Sequence, residues 1–264
     1  FSFFTEYDVL EIRLRELWDS VDYFVAVEAP VTFTGKSKPL YLEQAMESRF
    51  AWARSKLVPF TMRPDVRGSY RAAAMERVRQ QQDQMPYFAR SLGAKRRDVL
   101  LMSDLDEVPR ARCVGEAADL CTTGRYVSLQ QRIYCYYLNL SRGTQWRGTA
   151  ATLVEHAPAR LSELRFMTRG TRGYVADCEV LKNAGWHFTF MGGAGAVSKK
   201  IQAYGHTEFN KPRYTDVGEI RRRMLAGIDP FDRGSKPLNV VPIDELPSEV
   251  RANKDKYSHM LLEA

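Results

Sequence analysis

Four apolar residues, Val99-Leu100-Leu101-Met102, run without a spacer into Ser103-Asp104-Leu105-Asp106-Glu107. A short continuous apolar run bounded by polar residues reads as a buried strand, and this one ends in three carboxylates within four residues. The pattern of apolar run and amphipathic stretch recurs along the chain. Tyr23-Phe24-Val25-Ala26-Val27 leads into Glu28, Leu57-Val58-Pro59-Phe60 reads as a second strand, and strand-like runs fall at 126–139, 149–154 and 185–190. Helical spacing is predicted after Thr5 as N-cap, over roughly 41–55, over 69–91, from Arg110 to Leu120, and through the segment carrying Lys199 and Lys200. Pro86 lacks the N–H an interior helix position needs and is expected to kink or break the third of these. Strands alternating with helices predict an α/β fold with a mixed, mostly parallel sheet flanked by helices. Ligands in such folds sit at the carboxyl ends of the strands.

The 264 residues suffice for a single domain with a substantial core. Within it, about 1–125 is read as a nucleotide-binding half, about 126–228 as an acceptor-side half, and about 229–264 as an irregular C-terminal wrap with one or two short helices. No internal repeat or low-complexity tract occurs, and no stretch is long and apolar enough to read as a membrane span or signal peptide. The expected location is cytoplasmic, or the Golgi lumen if an N-terminal anchor precedes these residues. The net charge is +7, and the 39 basic residues are mostly arginine. Arginine suits bidentate contact with phosphate or carboxylate, which points to an anionic partner. Cys113, Cys121, Cys135 and Cys178 show no metal-binding or redox spacing and read as mostly buried thiols.

Asp104, Asp106 and Glu107 would repel one another in a crevice, and a hard divalent cation, Mn²⁺ or Mg²⁺, would offset that repulsion. Such an ion completes its shell with phosphate oxygens, which implies a nucleoside diphosphate donor. The plainer account makes Asp104 a turn cap and the other two solvated acids at a helix start. His187, between Trp186 and Phe188, offers a neutral imidazole as third ligand, while Gly192-Gly193 would admit a diphosphate close to the backbone. Lys199 or Lys200 would neutralise the departing diphosphate, and Arg77 would touch donor phosphate or simply lie on a solvated helix face. Glu208 is the favoured general base among Glu208, Glu179, Asp177 and Glu155. Two other function classes remain open on these residues: a metal-dependent phosphoryl or nucleotidyl transferase, and a basic module binding nucleic acid or acidic glycan.

Five segments, taken together and in order, resemble glycosyltransferase family 17, enzymes of the β-1,4-mannosyl-glycoprotein 4-β-N-acetylglucosaminyltransferase type. They are Glu6-x-Asp8-x-Leu10-Glu11-Ile12-Arg13-Leu14-x-Glu16-Leu17, Val25-Ala26-Val27-Glu28, Thr32-Phe33-Thr34-Gly35 with Lys38-Pro39-Leu40, Ser103 to Pro109, and Gly185-Trp186-His187. The resemblance implies a GT-A-like, Rossmann-type nucleotide-sugar-binding fold, a UDP-sugar donor carrying GlcNAc or another hexose, a divalent metal, and inversion at the anomeric carbon. Carried onto this chain, it implies Asp104 near the ribose or metal and Asp106 as the main metal ligand. Glu28, Thr34 and Gly35 would line the nucleotide side, with Ser103 and Trp186 beside the donor and His187 at the metal. The acceptor implied is a hydroxyl on a glycan, a lipid-linked sugar, a metabolite or a modified polymer, with nucleic acid left open.

Overall fold

The computed structural model describes residues 1–169, 178–233 and 237–263. Helix α1 (Tyr7–Leu17) is buried on nearly every side, and its apolar residues serve two cores. Leu10, Leu14 and Leu17 pack with Phe24, Leu42 and Phe50, while Val9 and Ile12 pack with Val108, Trp186 and Tyr257. Thr5 does not cap it as expected: Glu6 holds the N-cap position, with no side-chain cap, and its carboxylate accepts the Thr5 N–H instead.

Strands β1 (Phe24–Glu28) and β2 (Leu57–Thr61) form a parallel pair, registered Phe24 to Leu57 and Glu28 to Thr61, and α2 (Tyr41–Met46) lies in the crossover between them. Helix α3 (Arg71–Ser91) runs unbroken through Pro86. Met85 and Phe88, on either side of the proline, are buried in one cluster with Leu161 and Leu164, so tertiary packing outweighs the lost backbone hydrogen bond.

Strand β3 (Val99–Met102), the acidic loop and β4 (Glu107–Pro109) follow, then α4 (Ala111–Cys121). Strand β5 (Tyr126–Cys135) turns directly into β6 (Leu140–Leu153), helped by Tyr136 at φ 68°. The remaining elements are α5 (Leu161–Arg169), β7 (Cys178–Leu181), β8 (Gly185–Thr189), α6 (Gly193–Ala203), α7 (Pro212–Thr215), α8 (Val217–Leu225), β9 (Asn239–Val240) and α9 (Ser248–Ala252).

The larger sheet runs β3-β6-β5-β8-β4, with β7 added on β5 and β9 on β6. It is mixed, as expected, but not mostly parallel: only β7 and β8 run parallel to β5, and its other pairings are antiparallel. That expectation rested on strands alternating with helices, whereas a tight β5–β6 connection can only make an antiparallel pair. The first half of β5 takes β7 and its second half takes β8, so one ten-residue strand organises both ends of the sheet. Strand β6 also starts earlier than the apolar run at 149–154, because residues 142–147 other than Trp146 are polar or exposed and carry no burial signal.

Cys113, Cys121 and Cys135 are buried with no disulfide. The C-terminal segment wraps back onto the sheet: Leu138 N–H donates to Met260 O, and the Trp186 indole N–H donates to Glu245 O. Among the described residues, no helix is long and apolar enough to cross a membrane.

Candidate active site

The acidic loop sits on an arginine. Arg13, buried in α1, donates from one terminal nitrogen to Glu107 O at 2.6 Å and Asp104 O at 3.2 Å, and from the other to Ser103 Oγ at 2.6 Å. The loop's carbonyls thus face α1. Glu107, expected either in a cation-binding cluster of carboxylates or as a solvated acid at a helix start, instead opens β4 with no exposed surface. Its carboxylate accepts the Trp146 indole N–H at 2.6 Å, an Arg165 N–H at 2.5 Å and the Asp104 backbone N–H at 2.8 Å. Arg165 reaches Asp104 with its other terminal nitrogen, also at 2.5 Å.

Asp106 faces a different cation. Lys200 Nζ lies 2.8 Å from Asp106 Oδ2 and 3.1 Å from Glu6 Oε1, and His187 Nε2 lies 3.5 Å from Asp106 Oδ1. Burial raises the Asp106 pKa, but Lys200 and His187 outweigh it and hold the carboxyl well below the usual range. Burial likewise pulls Lys200 down, and Asp106 and Glu6 more than reverse this, so the ammonium stays charged. The strand register explains the His187 position, since His187 pairs directly with Glu107 across β4 and β8. Lys200 arrives from α6, whose start follows Phe190 and Gly192, both in the left-handed region at φ 57° and 88°.

These groups form one wall of a cavity of about 580 Å³. Glu6, Asp104 and Asp106 line it, together with Arg142, Arg165, Arg169, Lys200 and Arg233. Aromatic side chains line it as well: Phe209 and Phe231 stack at 4.0 Å, with Phe190 edge-on to Phe231 and Tyr204 beside them. Among the described residues, His187 Nδ1, Arg165 Nε and the Tyr204 hydroxyl are buried with no hydrogen-bond partner, and all three residues line this cavity. Buried polar atoms without partners are costly, and a ligand with its own donors and acceptors would satisfy them.

Of the sequence-derived candidates, Asp104, Asp106, His187 and Lys200 converge here. Others do structural work nearby. Glu28 caps α2, accepting the Tyr41 and Leu42 N–H groups at 2.8 and 2.9 Å and pairing with Lys38. Thr34 donates to Gln202 O at 3.1 Å and latches its loop to α6. Gly35, at φ 86°, lies against Arg77, where a Cβ would come within 2.9 Å of the guanidinium. Arg77 is neither a solvated helix-face residue nor part of the cavity wall. It is buried, with its guanidinium donating to the carbonyls of Phe33, Val66 and Gly68.

Trp186 alternates to the opposite face of β8 from His187 and is buried against Phe188 and Arg110, away from the expected donor contact. Lys199 is exposed, over the rings of Phe4 and Tyr41, one helical position round from Lys200. Glu208 stands just behind the cavity wall: its carboxylate is 3.0 Å from His206 Nδ1 and 3.3 Å from Arg71, and His206 itself lines the cavity. Glu155 pairs with Arg96 and Glu179 with Arg125. Asp177 lies outside the described residues.

The proposed metal ligands do not fit a metal as they lie. Asp104 is taken by Arg165 and Asp106 by Lys200, and among the described residues no three His, Cys, Asp or Glu side chains converge as a metal site. Sequence reasoning gave no role to Glu6, Arg13, Trp146, Arg165 or Arg169, whereas His206 stands out beside Glu208 as a polar cluster that fits a surface turn or an active-site loop equally well. Three of the five left a signal: Arg13 is a charge within an apolar helix face, and Arg165 and Arg169 share one face at i, i+4.

The sequence profile of glycosyltransferase family 17 matches residues 1–236. No curated protein and no solved structure matches the chain.

Proposed function

Because the chain belongs to glycosyltransferase family 17, we propose that it moves a hexose from a UDP-sugar to an acceptor hydroxyl by single displacement, with inversion at the anomeric carbon. The observation that carries this reading is the convergence of unpartnered buried polar atoms and six Lys and Arg side chains on one cavity beside the acidic loop. A nucleoside diphosphate matches that charge, and the cavity adjoins the parallel β1–β2 unit that a GT-A-like reading assigns to the nucleotide.

The donor diphosphate lies against Lys200 and Arg169, and the sugar reaches toward His187. The aromatic cluster formed by Tyr204, Phe209 and Phe231 suits the apolar face of an acceptor sugar. A base must then stand within reach of the attacking hydroxyl. Glu208 fills that role through His206: the carboxylate engages Nδ1 and leaves Nε2 for the hydroxyl proton, the division of labour seen in histidine–carboxylate pairs. As the acceptor oxygen bonds to the anomeric carbon, the bond to the β-phosphate oxygen breaks, the proton passes to His206, and UDP leaves.

The test is a panel of UDP- and GDP-sugars scored for nucleotide release, with the product's anomeric configuration read by NMR. UDP release with an inverted product supports the reading. Retention at the anomeric carbon, or release of pyrophosphate or sugar phosphate, overturns it.

A further inference from the structure

The acidic loop needs no ion to balance it. Glu6, Asp104, Asp106 and Glu107 are four carboxylates, and Arg13, Arg165, Arg169 and Lys200 are four cations among them. Asp106 is paired with Lys200 at 2.8 Å, Asp104 and Glu107 with Arg165 at 2.5 Å each, and Glu107 also with Arg169 at 3.5 Å. A divalent cation bound at Asp106 would lie beside the Lys200 ammonium, and like charges so close repel strongly in a site sheltered from water. It would have to displace Lys200, a side chain held on two carboxylates at once.

Lys200 still has donor capacity toward the cavity. An ammonium carries three N–H groups, and here two are directed to Asp106 and Glu6. Arg169 stacks over Trp146 at 4.3 Å and spends its Nε on Arg147 O, while one terminal nitrogen makes no hydrogen bond to any of the described residues.

We propose that the donor diphosphate is held by these fixed side-chain cations, with Lys200 foremost, and that nucleotide binding at this site does not require a divalent metal. The proposal rests on the sugar-nucleotide reading above. Preorganised cations of this kind stabilise the charge that appears on the leaving phosphate oxygen as its bond to the anomeric carbon breaks. The acids of the loop then serve to aim Lys200 and Arg165 rather than to ligate an ion.

The test is calorimetric titration of UDP into the full chain, once in EDTA and once in Mn²⁺, with Lys200→Met and Lys200→Arg alongside. The expected result is wild-type affinity equal within about twofold in the two buffers, a loss of about tenfold or more in Lys200→Met in EDTA, and substantial recovery in Lys200→Arg. Wild-type binding that appears only with Mn²⁺, or tightens about tenfold with it, overturns this inference and leaves the transferase reading standing. Failure to bind any nucleotide in either buffer overturns the donor assignment itself. The wild-type comparison depends on no variant, so a misfolded Lys200→Met does not blunt it.

Discussion

Glu107 and Arg165 meet at 2.5 Å with no exposed surface on the Glu107 side chain, and this contact fixes where the other end of Arg165 meets Asp104. Glu107 therefore acts on the cavity without lining it. Replacing Glu107 with Gln removes one of the two carboxylates on Arg165 and leaves Asp104 to hold it alone, and losing a buried hydrogen bond to a charged group in this way costs about 1.5–3 kcal/mol. Urea unfolding of Glu107→Gln should show a lower midpoint at unchanged slope. A midpoint within error of the wild type would show that Arg165 is not held from this side.

Gly148 provides the space in which Glu107 sits. A Cβ there would lie 2.6 Å from Glu107 Cδ and 2.6 Å from Gln131 Oε1, both on packed side chains. Gly148→Ala should destabilise the fold by about 1–3 kcal/mol, the usual cost of overpacking. Displacing Glu107 should also disturb Arg165, so nucleotide affinity should fall in the variant that remains folded. Unchanged affinity in a destabilised protein would separate Glu107 from the site.

Lys200 and Asp106 should behave as a unit. Lys200→Met leaves buried Asp106 without its ammonium, and Asp106→Asn leaves Lys200 with Glu6 alone, so the double variant should be less destabilised than the two singles added together. Transfer activity should not recover with it, because the proposed diphosphate cation is still missing. Thermal melts of the four proteins, with nucleotide release measured in parallel, decide the point.

His206 and Glu208 should differ in how far they reduce turnover. His206→Gln removes the proposed proton acceptor and should lower kcat by about 10²–10⁴-fold, whereas Glu208→Gln removes only its orienting partner and should cost less. UDP affinity should stay near wild type in both. Loss of UDP affinity matching the loss of kcat would place this turn on the nucleotide side instead.

Acid should loosen the join between the N-terminal helix and the C-terminal segment. Burial raises the Glu11 pKa, but hydrogen bonds from Lys256 and Arg49 outweigh it and hold it below its ordinary 4.5. A carboxyl depressed in the folded state contributes stability that is present above its unfolded value and is lost as pH falls below that value. Stability should thus decline from about pH 4.5 downward, and Glu11→Gln should flatten that decline at a cost near neutrality on the order of 1 kcal/mol, since both partners are about one-third exposed or more. Urea midpoints at several pH values test both effects, and an equally steep decline in the variant would assign it to other groups.

Several elements were readable from local sequence because their signal is local. The apolar run at 99–102, its acidic ending and the helix start at Ala111 need only neighbouring residues. The convergence of Asp106, His187 and Lys200 depended on knowing that the loop, β8 and α6 share one cavity, and the family resemblance supplied part of that grouping.

What could not be read was non-local compensation. Arg13, Arg165 and Lys200 are distant from the acids they neutralise, and nothing in their spacing names a partner. Without those partners the cluster looked as if it needed an ion. The expected mostly parallel sheet came from the same limitation, because residues 142–147, polar or exposed apart from Trp146, concealed the first half of β6.

The first helix is also a tuning peg for the acidic loop. Since Arg13 reaches the loop carbonyls from within α1, inserting or deleting one residue upstream of it inside the helix would swing the guanidinium about 100° around the axis. The loop would lose its underside even though every carboxylate remained in the sequence. Change in this scaffold therefore has more latitude among the cavity's aromatic residues than in the phase of that opening helix.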